Sequence, residues 1–477
     1  MRTMCKKFGK WFLFLVPLFL GAVGLIVLEG EPVLDALYMS VCMYAMGYQD
    51  SPPNLLVEMA RWTAPLATAS GVLLAFMKVR DRLWRYARYL RGNSVAVYGP
   101  RERREAMMAR LKGREIDAGE GWNLVRAQNY LLLGSEKENF DFYERSRDEL
   151  AGRTVYLETS ALPAQSVSDP GLRLFCPEET AARLFWKERC PYELSVRNGH
   201  RMRLVFLGFG MLGERLLTYA LQDNIFDPGQ RIEYHLFGGG AEFVAVHTGL
   251  SAIGDPVIVH DEPWYESLPL VEGAQIVIVL NQEGQLKLVR DLLLATTAPL
   301  LHVFSAGEAG LELLAGQERL RLFYWERKAW DPAHIFSDVM FDRARAINLR
   351  YAHLYGGVEE NRQNEEQEWS RLDGFTRYSN VSAADYHEVR LHMMAVLGWP
   401  ADGERLAPEQ MELLAELEHI RWCRYHYLNS WKHGVPENGA RKDPARRLHA
   451  DLLPYRELTE AEKQKDRDNI KVLLSVR

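Results

Sequence analysis

The sequence has few cysteines, and none of them is spaced as a metal site requires. Five cysteines occur among the 477 residues, and neither a C-x-x-C pair nor a Cys/His zinc pattern is present. This scarcity excludes a zinc module and a disulfide-stapled secreted domain. It is typical of a protein whose soluble part lies in a reducing compartment, and it predicts no metal site.

An excess of positive charge is also absent. The formal net charge is −6, whereas nucleic-acid binding favours a basic face, so we expect no nucleic-acid partner. Lys and Arg are missing altogether from residues 11–60, while basic residues are dense at 2–10 and 78–91. The positive-inside rule therefore places both chain ends in the cytoplasm and the acidic loop, residues 29–53, outside.

Two apolar runs frame the segment that lacks basic residues. Trp11–Leu28 has 18 uncharged residues and Trp62–Met77 has 16, whereas a membrane helix needs roughly 17–25 apolar residues. The pair predicts a two-helix membrane region over 1–92, in a multi-pass protein of the cell's inner (plasma) membrane that contacts the lipid bilayer. A signal peptide over 1–28 is the alternative, although its apolar core would span only about 7–15 residues.

The segment between the two runs has the order of a pore loop, with a short amphipathic stretch, a Gly-Tyr turn and two prolines. Gly47, Tyr48 and Asp50 match the potassium-channel filter pattern T-V-G-Y-G-D, while Ala45 replaces the threonine and Gln49 the second glycine. The region thus resembles the pore of two-helix potassium channels, whose filters turn backbone carbonyls inward. This resemblance implies a homo-oligomer, expected to be a tetramer, and a monovalent cation. A plain hairpin loop without conduction is the alternative.

After residue 92, short apolar runs alternate with helical segments. Strands are expected at 94–98, 130–133, 154–157 and 172–175, and in a second set at 204–207, 232–237, 256–259, 275–280, 300–304 and 320–325. Strand–helix alternation predicts parallel α/β domains. We expect one such domain over 93–198 and another over 201–330, an arrangement that suggests an internal duplication.

A glycine-rich loop follows the first strand of the second set. Gly208, Gly210 and Gly213 form G-x-G-x-x-G between a strand and a helix, where glycines allow a tight turn, close approach to a pyrophosphate and helix–strand packing. We expect these three residues to bind NAD(H) or another adenine nucleotide. An acidic residue for the ribose is missing, since Glu233 comes too early and Glu242 too late. A purely structural turn is the alternative.

The C-terminal third is expected to be helical. A linker region over 331–407 should contain helices at 332–355 and 383–397, separated by a polar stretch at 359–368. The last segment, 408–477, should begin with an aromatic-rich helix at 411–431. Its ordered motifs are Glu418-His419-x-x-Trp422, Trp431-x-x-Gly434, His449-x-x-Leu452-Leu453-Pro454-Tyr455 and Glu462-Lys463-x-x-Asp466-Arg467. This set resembles the Ryr domain, the repeat of ryanodine receptors.

The Ryr-like segment combines stacking rings with hydrogen-bond donors. Aromatic faces next to cations suit a purine and its phosphates, so we expect a nucleotide-type small-molecule ligand. The expected ligand-binding residues are His419, Arg421, Trp422, Arg424, Tyr425 and Trp431. The alternative is a small helical core in which the tryptophans simply pack.

The chain as a whole is predicted to be α/β, with an N-terminal transmembrane hairpin carrying a pore-loop-like segment, two tandem Rossmann-like domains and a C-terminal helical Ryr-like domain. It resembles two-helix potassium channels with tandem RCK/TrkA-N domains, which implies a ligand-gated channel or channel-like effector. A membrane-anchored NAD-dependent oxidoreductase and a non-conducting signalling scaffold are the alternatives. No acid, base or nucleophile set accompanies the glycine loop, so we expect no catalytic residues and no enzyme.

The predicted topology can be tested by cysteine accessibility in the full chain. A Gln49→Cys variant should be labelled from outside the cell, because the positive-inside rule places that segment outside. An Asn93→Cys variant should be protected from the same reagent. The reverse pattern of labelling would contradict the orientation.

Overall fold

The structure is a computed structural model that describes residues 15–167, 169, 171–307, 310–314, 316–437 and 439–476, except for the side chains at 74, 78, 81 and 338. The chain divides into two compact units, Met1–Ser94 and Val95–Arg477. The basic residues at 2–10 and the first four residues of the first apolar run lie outside the described residues.

The first unit consists of three helices, α1 (Leu15–Leu28), α2 (Val33–Tyr44) and α3 (Leu55–Leu90). Small residues allow the first two to approach closely, since a Cβ at Gly21 would lie 2.8 Å from Ser40 Oγ. Asn54 caps α3 by accepting from Val57 N at 3.1 Å and also donates to Gly24 O at 3.0 Å. Close packing through small residues is typical of helices in membranes.

One helix among the described residues, α3, is long and apolar enough to cross a membrane, whereas α1 and α2 are shorter apolar helices. The predicted two-helix hairpin is therefore not confirmed and stays a prediction. The pore-loop residues follow α2. Gly47 N donates to Cys42 O at 2.8 Å, Tyr48 is half-buried against the small core of this unit, and Asp50 is exposed.

A first parallel sheet opens the second unit. Its strands are β1 (Val95–Tyr98), β2 (Glu115–Asp117), β3 (Asn129–Leu132), β4 (Thr154–Glu158) and β5 (Leu172–Phe175), with helices α4 (Arg101–Leu111), α5 (Glu136–Ser146), α6 (Pro177–Glu188) and α7 (Tyr192–Arg197). The strand order β2-β1-β3-β4-β5 is that of flavodoxin-like sheets, whose ligands bind where the order reverses, next to β1 and β3. At the end of β3, a Cβ on Gly134 would lie 2.5 Å from the Trp122 ring, which stacks on Tyr98 at 5.6 Å. The chain's own tryptophan therefore fills space at this end of the sheet.

A second parallel sheet follows. Its strands are β6 (Arg201–Leu207), β7 (Arg231–Phe237), β8 (Val257–His260), β9 (Ile276–Val279), β10 (Leu300–Phe304) and β11 (Leu320–Phe323), with helices α8 (Met211–Asp223), α9 (Ala241–Val246), α10 (Leu268–Glu272), α11 (Gln285–Ala295), α12 (Leu311–Leu314) and α13 (Trp325–Ala329). All five pairings are parallel. The order β8-β7-β6-β9-β10-β11 is the Rossmann order 3-2-1-4-5-6, which confirms the Rossmann-like prediction for this region.

The C-terminal region is helical with one small sheet. It contains α14 (Pro332–Phe336), α15 (Asp342–Gly356), α16 (Arg362–Arg371), α17 (Gly374–Leu397), α18 (Pro408–Leu428), α19 (Glu460–Ser475), β12 (Lys432–His433), β13 (Lys442–Asp443) and β14 (Leu448–His449). The single helix predicted at 332–355 is wrong, because it breaks into α14 and α15. The polar stretch at 359–368 was expected only to separate two helices, but most of it belongs to a helix of its own, α16. Asn361 caps this helix by accepting from Asn364 N.

Helices α17 and α18 share one hydrophobic core with the second sheet. Tyr386 and Val389 of α17 and Leu417 of α18 belong to the same buried cluster as Leu204 and Phe206 of β6. Burial of such side chains stabilises the folded state by roughly 1.5–3 kcal/mol each. The C-terminal region is therefore built onto the second sheet and does not form an independent core.

Buried ion pairs fix the same packing. Arg183 of α6 forms a bidentate pair with Asp385 of α17 at 2.7 and 2.9 Å. Arg424 of α18 pairs with Asp255 at 2.7 Å and donates to Leu221 O at 3.1 Å. The prediction that Arg424 is a ligand donor is therefore not supported, because its guanidinium is buried and bonded to residues of the second sheet's domain.

Replacing Arg424 tests this structural role. Arg424→Met leaves the Asp255 carboxylate buried without its cation, so the free energy of unfolding should fall by about 3–5 kcal/mol. Arg446→Met is the matched control, because Arg446 and its partner Glu437 are exposed and such pairs contribute less than about 1 kcal/mol. Denaturation of the purified full chain measures both. Equal stability of the two variants would contradict the assignment.

Candidate functional site

A cavity of about 890 Å³ lies between α8, α17 and α18. Its volume falls within the roughly 300–1,000 Å³ of small-molecule sites. We call it the aromatic cavity, because one side is lined by Phe375, Trp422, Tyr425, His426, Trp431 and His449. The opposite side belongs to the Rossmann-like sheet through α8.

The rings of the aromatic wall contact one another. Trp422 and His426 lie one turn apart on α18, so they share a face of the helix, and their ring centroids are 4.1 Å apart. His449 meets the Trp422 ring edge-on at 4.8 Å. Trp431 stacks on Phe375 at 5.2 Å. These contacts hold several ring faces along one wall.

The polar wall comes from α8 and α6. Arg215, Thr218, Tyr219 and Gln222 line the cavity, and their spacing places them on one face of α8. Glu179 of α6 accepts from Tyr219 Oη at 3.0 Å and is fully engaged by a second tyrosine and a backbone amide. Arg215 donates to Ser160 O at 3.0 Å, but within the described part of the chain it forms no ion pair.

A second, smaller cavity of about 490 Å³ adjoins the first. The two share Trp422 and His449 among their lining residues, and the smaller one is also lined by Glu418, His419 and Arg421. Trp422 therefore stands between an aromatic space and a polar one.

Two of the predicted ligand donors are held by protein partners. His419 donates through Nε2 to Leu453 O at 2.8 Å and lies with Nδ1 3.3 Å from the Asp466 carboxylate. Burial lowers the pKa of His419, but the interactions with Asp466 and Cys423 together outweigh burial and raise the pKa to about 10. Arg421 is fixed by Glu418 at 2.7 Å and Ser382 at 2.9 Å. Trp422, Tyr425 and Trp431 are the predicted residues that the structure brings to the aromatic cavity.

Sequence reasoning missed three members of the aromatic wall. Phe375 lies in the first turn of α17, outside the Ryr-like segment, and no local pattern marks it. His426 could have been found, because it follows Trp422 by four residues on the same helix. His449 was noted only as a family marker, although β14 brings it beside Trp422.

The glycine loop is packed by the chain itself. Gly208 has φ +86°, and a Cβ there would overlap Asn281 Oδ1. A Cβ on Gly213 would lie 2.9 Å from the Phe209 ring, and one on Gly240 would lie 3.5 Å from the same ring. These glycines therefore make room for Phe209 and Asn281. Gly210 differs, because no atom lies within 4 Å of its Cβ position.

The expected acidic residue for a ribose does not stand at the end of β7. Glu233 lies near the start of that strand and pairs with Arg231 at 3.1 Å. The strand is instead followed by Gly238, Gly239 and Gly240, all with positive φ. Nucleotide binding at this loop stays a prediction.

The small β-sheet, the aromatic helix α18 and the final helix α19 belong to a known domain. Residues 405–476 match the RyR domain family. The predicted Ryr-like unit is thereby confirmed. The RyR domain supplies Trp422, His426, Trp431 and His449 to the aromatic cavity, whereas α8 of the Rossmann-like domain supplies its polar wall.

Comparison with solved structures finds Rossmann-type dehydrogenases. A D-lactate dehydrogenase from Treponema pallidum is 11% identical, with a TM-score of 0.23, over 64% of this chain and 98% of that chain. The D-lactate dehydrogenase from Escherichia coli is 10% identical, TM-score 0.24, over 56% and 98%. An L-tryptophan dehydrogenase from Nostoc punctiforme is 9% identical, TM-score 0.25, over 71% and 88%. No curated protein matches significantly.

These neighbours correct one prediction. All three are enzymes, which contradicts the expectation that the chain is not an enzyme, and that expectation is not kept. Their low identity and low TM-scores assign no reaction or substrate to this chain. Among the described residues, no group of three or more His, Cys, Asp or Glu side chains could hold a metal ion.

The packing role of the glycine loop can be tested within the motif. Gly208→Ala forces a side chain into a positive-φ position against Asn281, so the free energy of unfolding should fall by about 1–3 kcal/mol. Gly210→Ala is the matched control, because its Cβ would enter open space. Denaturation curves of the full chain compare the two, and a larger loss at Gly210 would contradict the packing described.

Proposed function

We propose that the chain is a ligand-controlled membrane effector whose RyR domain binds a nucleotide-type ligand in the aromatic cavity. The observation that carries the proposal is the cavity itself, which combines an aromatic wall from the RyR domain with a polar wall from α8. Its volume suits a mononucleotide or dinucleotide.

The two walls suit the two ends of such a ligand. A nucleobase would stack against the rings at Trp422 and Phe375, and base–aromatic stacking contributes about 1–3 kcal/mol. Arg215 would receive the phosphate, because a guanidinium binds phosphate oxygens bidentately. Arg215 now donates to the backbone carbonyl of Ser160 and forms no ion pair with the described residues, although, against the effect of burial, the Glu179 carboxylate on the same wall helps to hold its pKa above the usual range.

The effector part of the proposal rests on the N-terminal unit. α3 carries the apolar run Trp62–Met77 and continues as one helix through basic residues to Leu90. We propose a multi-pass inner-membrane protein with cytoplasmic ends, assembled as a homo-oligomer, expected to be a tetramer, around a cation pore at Gly47, Tyr48 and Asp50. The ligand would have to bind the open and closed assemblies with different affinity, since equal affinity shifts nothing.

Ligand binding can be measured on the full chain in lipid nanodiscs by calorimetry. The wild type should bind AMP, ATP or NAD, and Trp422→Leu should weaken that binding about tenfold or more through lost stacking. Trp264→Leu is the matched control, because Trp264 packs on the other core of the sheet and does not line the cavity. A thermal melt of each variant separates lost binding from lost folding.

Failure of the wild type to bind any of the three nucleotides at millimolar concentration would contradict the proposal. Ion flux through liposomes then tests the effector part. Nucleotide-dependent flux supports a gated channel, and binding without flux supports the non-conducting scaffold. Oxidation of NADH by the purified chain would instead assign it the chemistry of a dehydrogenase.

A further inference from the structure

Two histidines stand side by side on the aromatic wall. His426 of α18 and His449 of β14 both line the cavity, and their ring centroids are 5.9 Å apart. The Trp422 ring lies against both, at 4.1 and 4.8 Å. In each ring, one nitrogen has a hydrogen bond to the backbone. That bond determines which of the two ring nitrogens carries the hydrogen.

His426 presents a hydrogen-bond acceptor. Its Nδ1 lies 2.8 Å from Trp422 O, and a carbonyl oxygen can only accept, so Nδ1 carries the hydrogen. Burial lowers the pKa of His426 to about 3, so the ring is neutral near pH 7. Nε2 is then the unprotonated nitrogen. His426 Nε2 has no hydrogen bond to the described residues. It is also not fully buried, so a ligand in the cavity can reach it.

His449 presents a hydrogen-bond donor. Its Nδ1 accepts from the backbone N–H of Asp451 at 3.1 Å, so this nitrogen carries no hydrogen. Burial lowers the pKa of His449 as well, which keeps the ring neutral. In a neutral imidazole the other nitrogen must then be protonated. Nε2–H of His449 is therefore a donor, and it too has no partner within the described chain.

We propose that His426 and His449 read the edge of an adenine-type base in the aromatic cavity, with His426 Nε2 accepting from the exocyclic amine and His449 Nε2–H donating to a neighbouring ring nitrogen. This inference rests on the proposed function and names the ligand class. Adenine offers an amine donor directly beside a ring-nitrogen acceptor. A neutral acceptor and a neutral donor on adjacent rings complement that pair.

The contact with His426 requires that the base of the ligand carry an exocyclic amine. Purine riboside monophosphate has the same ring system and phosphate as AMP but lacks the amine. It would stack equally well, yet it would leave the desolvated lone pair of His426 without a donor. A buried polar group left unpaired costs enough free energy to reduce affinity about tenfold or more.

The experiment compares AMP with purine riboside monophosphate on the full chain in nanodiscs. The wild type should prefer AMP about tenfold or more. His426→Phe keeps an aromatic ring but removes the acceptor, so the preference for AMP should be lost, because AMP loses the partner of its amine and the purine nucleotide no longer leaves a lone pair unpaired. His433→Phe is the matched control, because His433 is exposed on β12 and does not line the cavity.

The ratio of the two affinities distinguishes the possible failures. If the wild type binds both nucleotides with equal affinity, the proposed recognition of the base by the two histidines is wrong, while the proposed function is unaffected. An unchanged preference in His426→Phe would remove His426 from the site. A further outcome is that His426→Phe binds neither nucleotide while melting at the same temperature as the wild type. That result would also overturn the proposed role of the histidines, because the acceptor contacts only the amine. No binding of either nucleotide to the wild type would overturn the proposed function and this inference together.

Discussion

Buried ion pairs between the helices determine the shape of the aromatic cavity. Arg424 joins α18 to Asp255, and Arg183 joins α6 to Asp385 of α17. A charge taken out of water is costly unless its partner stays in place. The helices therefore cannot slide past one another without breaking a buried pair. Arg424 also donates to Leu221 O of α8, so the same side chain holds α18 against the helix that forms the polar wall of the cavity.

A separate set of buried ion pairs takes up arginine side chains that lie close to the aromatic wall. Glu418 accepts from both Arg390 and Arg421, at 2.5 and 2.7 Å, in the interior of the C-terminal region. Because both guanidinium groups are bonded to Glu418, they are not available to bind a ligand. Burial also holds the pKa of His426 low, so its ring is uncharged. Stacking and neutral hydrogen bonds are therefore the chemistry of the aromatic rings, whereas positive charge lines the cavity at Arg215 of α8 and at Lys442 and Arg447.

The sequence predicted the elements better than it predicted the site. The alternation of strands and helices and the glycine motif are local signals, so the strands of both parallel sheets were expected near their observed bounds, except for the short edge strand β2, which was not predicted. The RyR motifs were also readable, because they are closely spaced along the chain. By contrast, the burial of Arg424 depends on Asp255, a residue of another domain. The break between α14 and α15 was missed because the apolar pattern continues across it.

The glycine loop shows how a local motif can be satisfied in more than one way. The spacing of Gly208 and Gly213 fits close approach of a backbone, but the groups that approach are Asn281 and Phe209 of the same chain. α8 begins at this loop and lines the aromatic cavity one to three turns later. Any ligand that contacts both α8 and α18 would bind most tightly at one separation of these helices. Its binding free energy would then favour whichever arrangement of the chain has that separation.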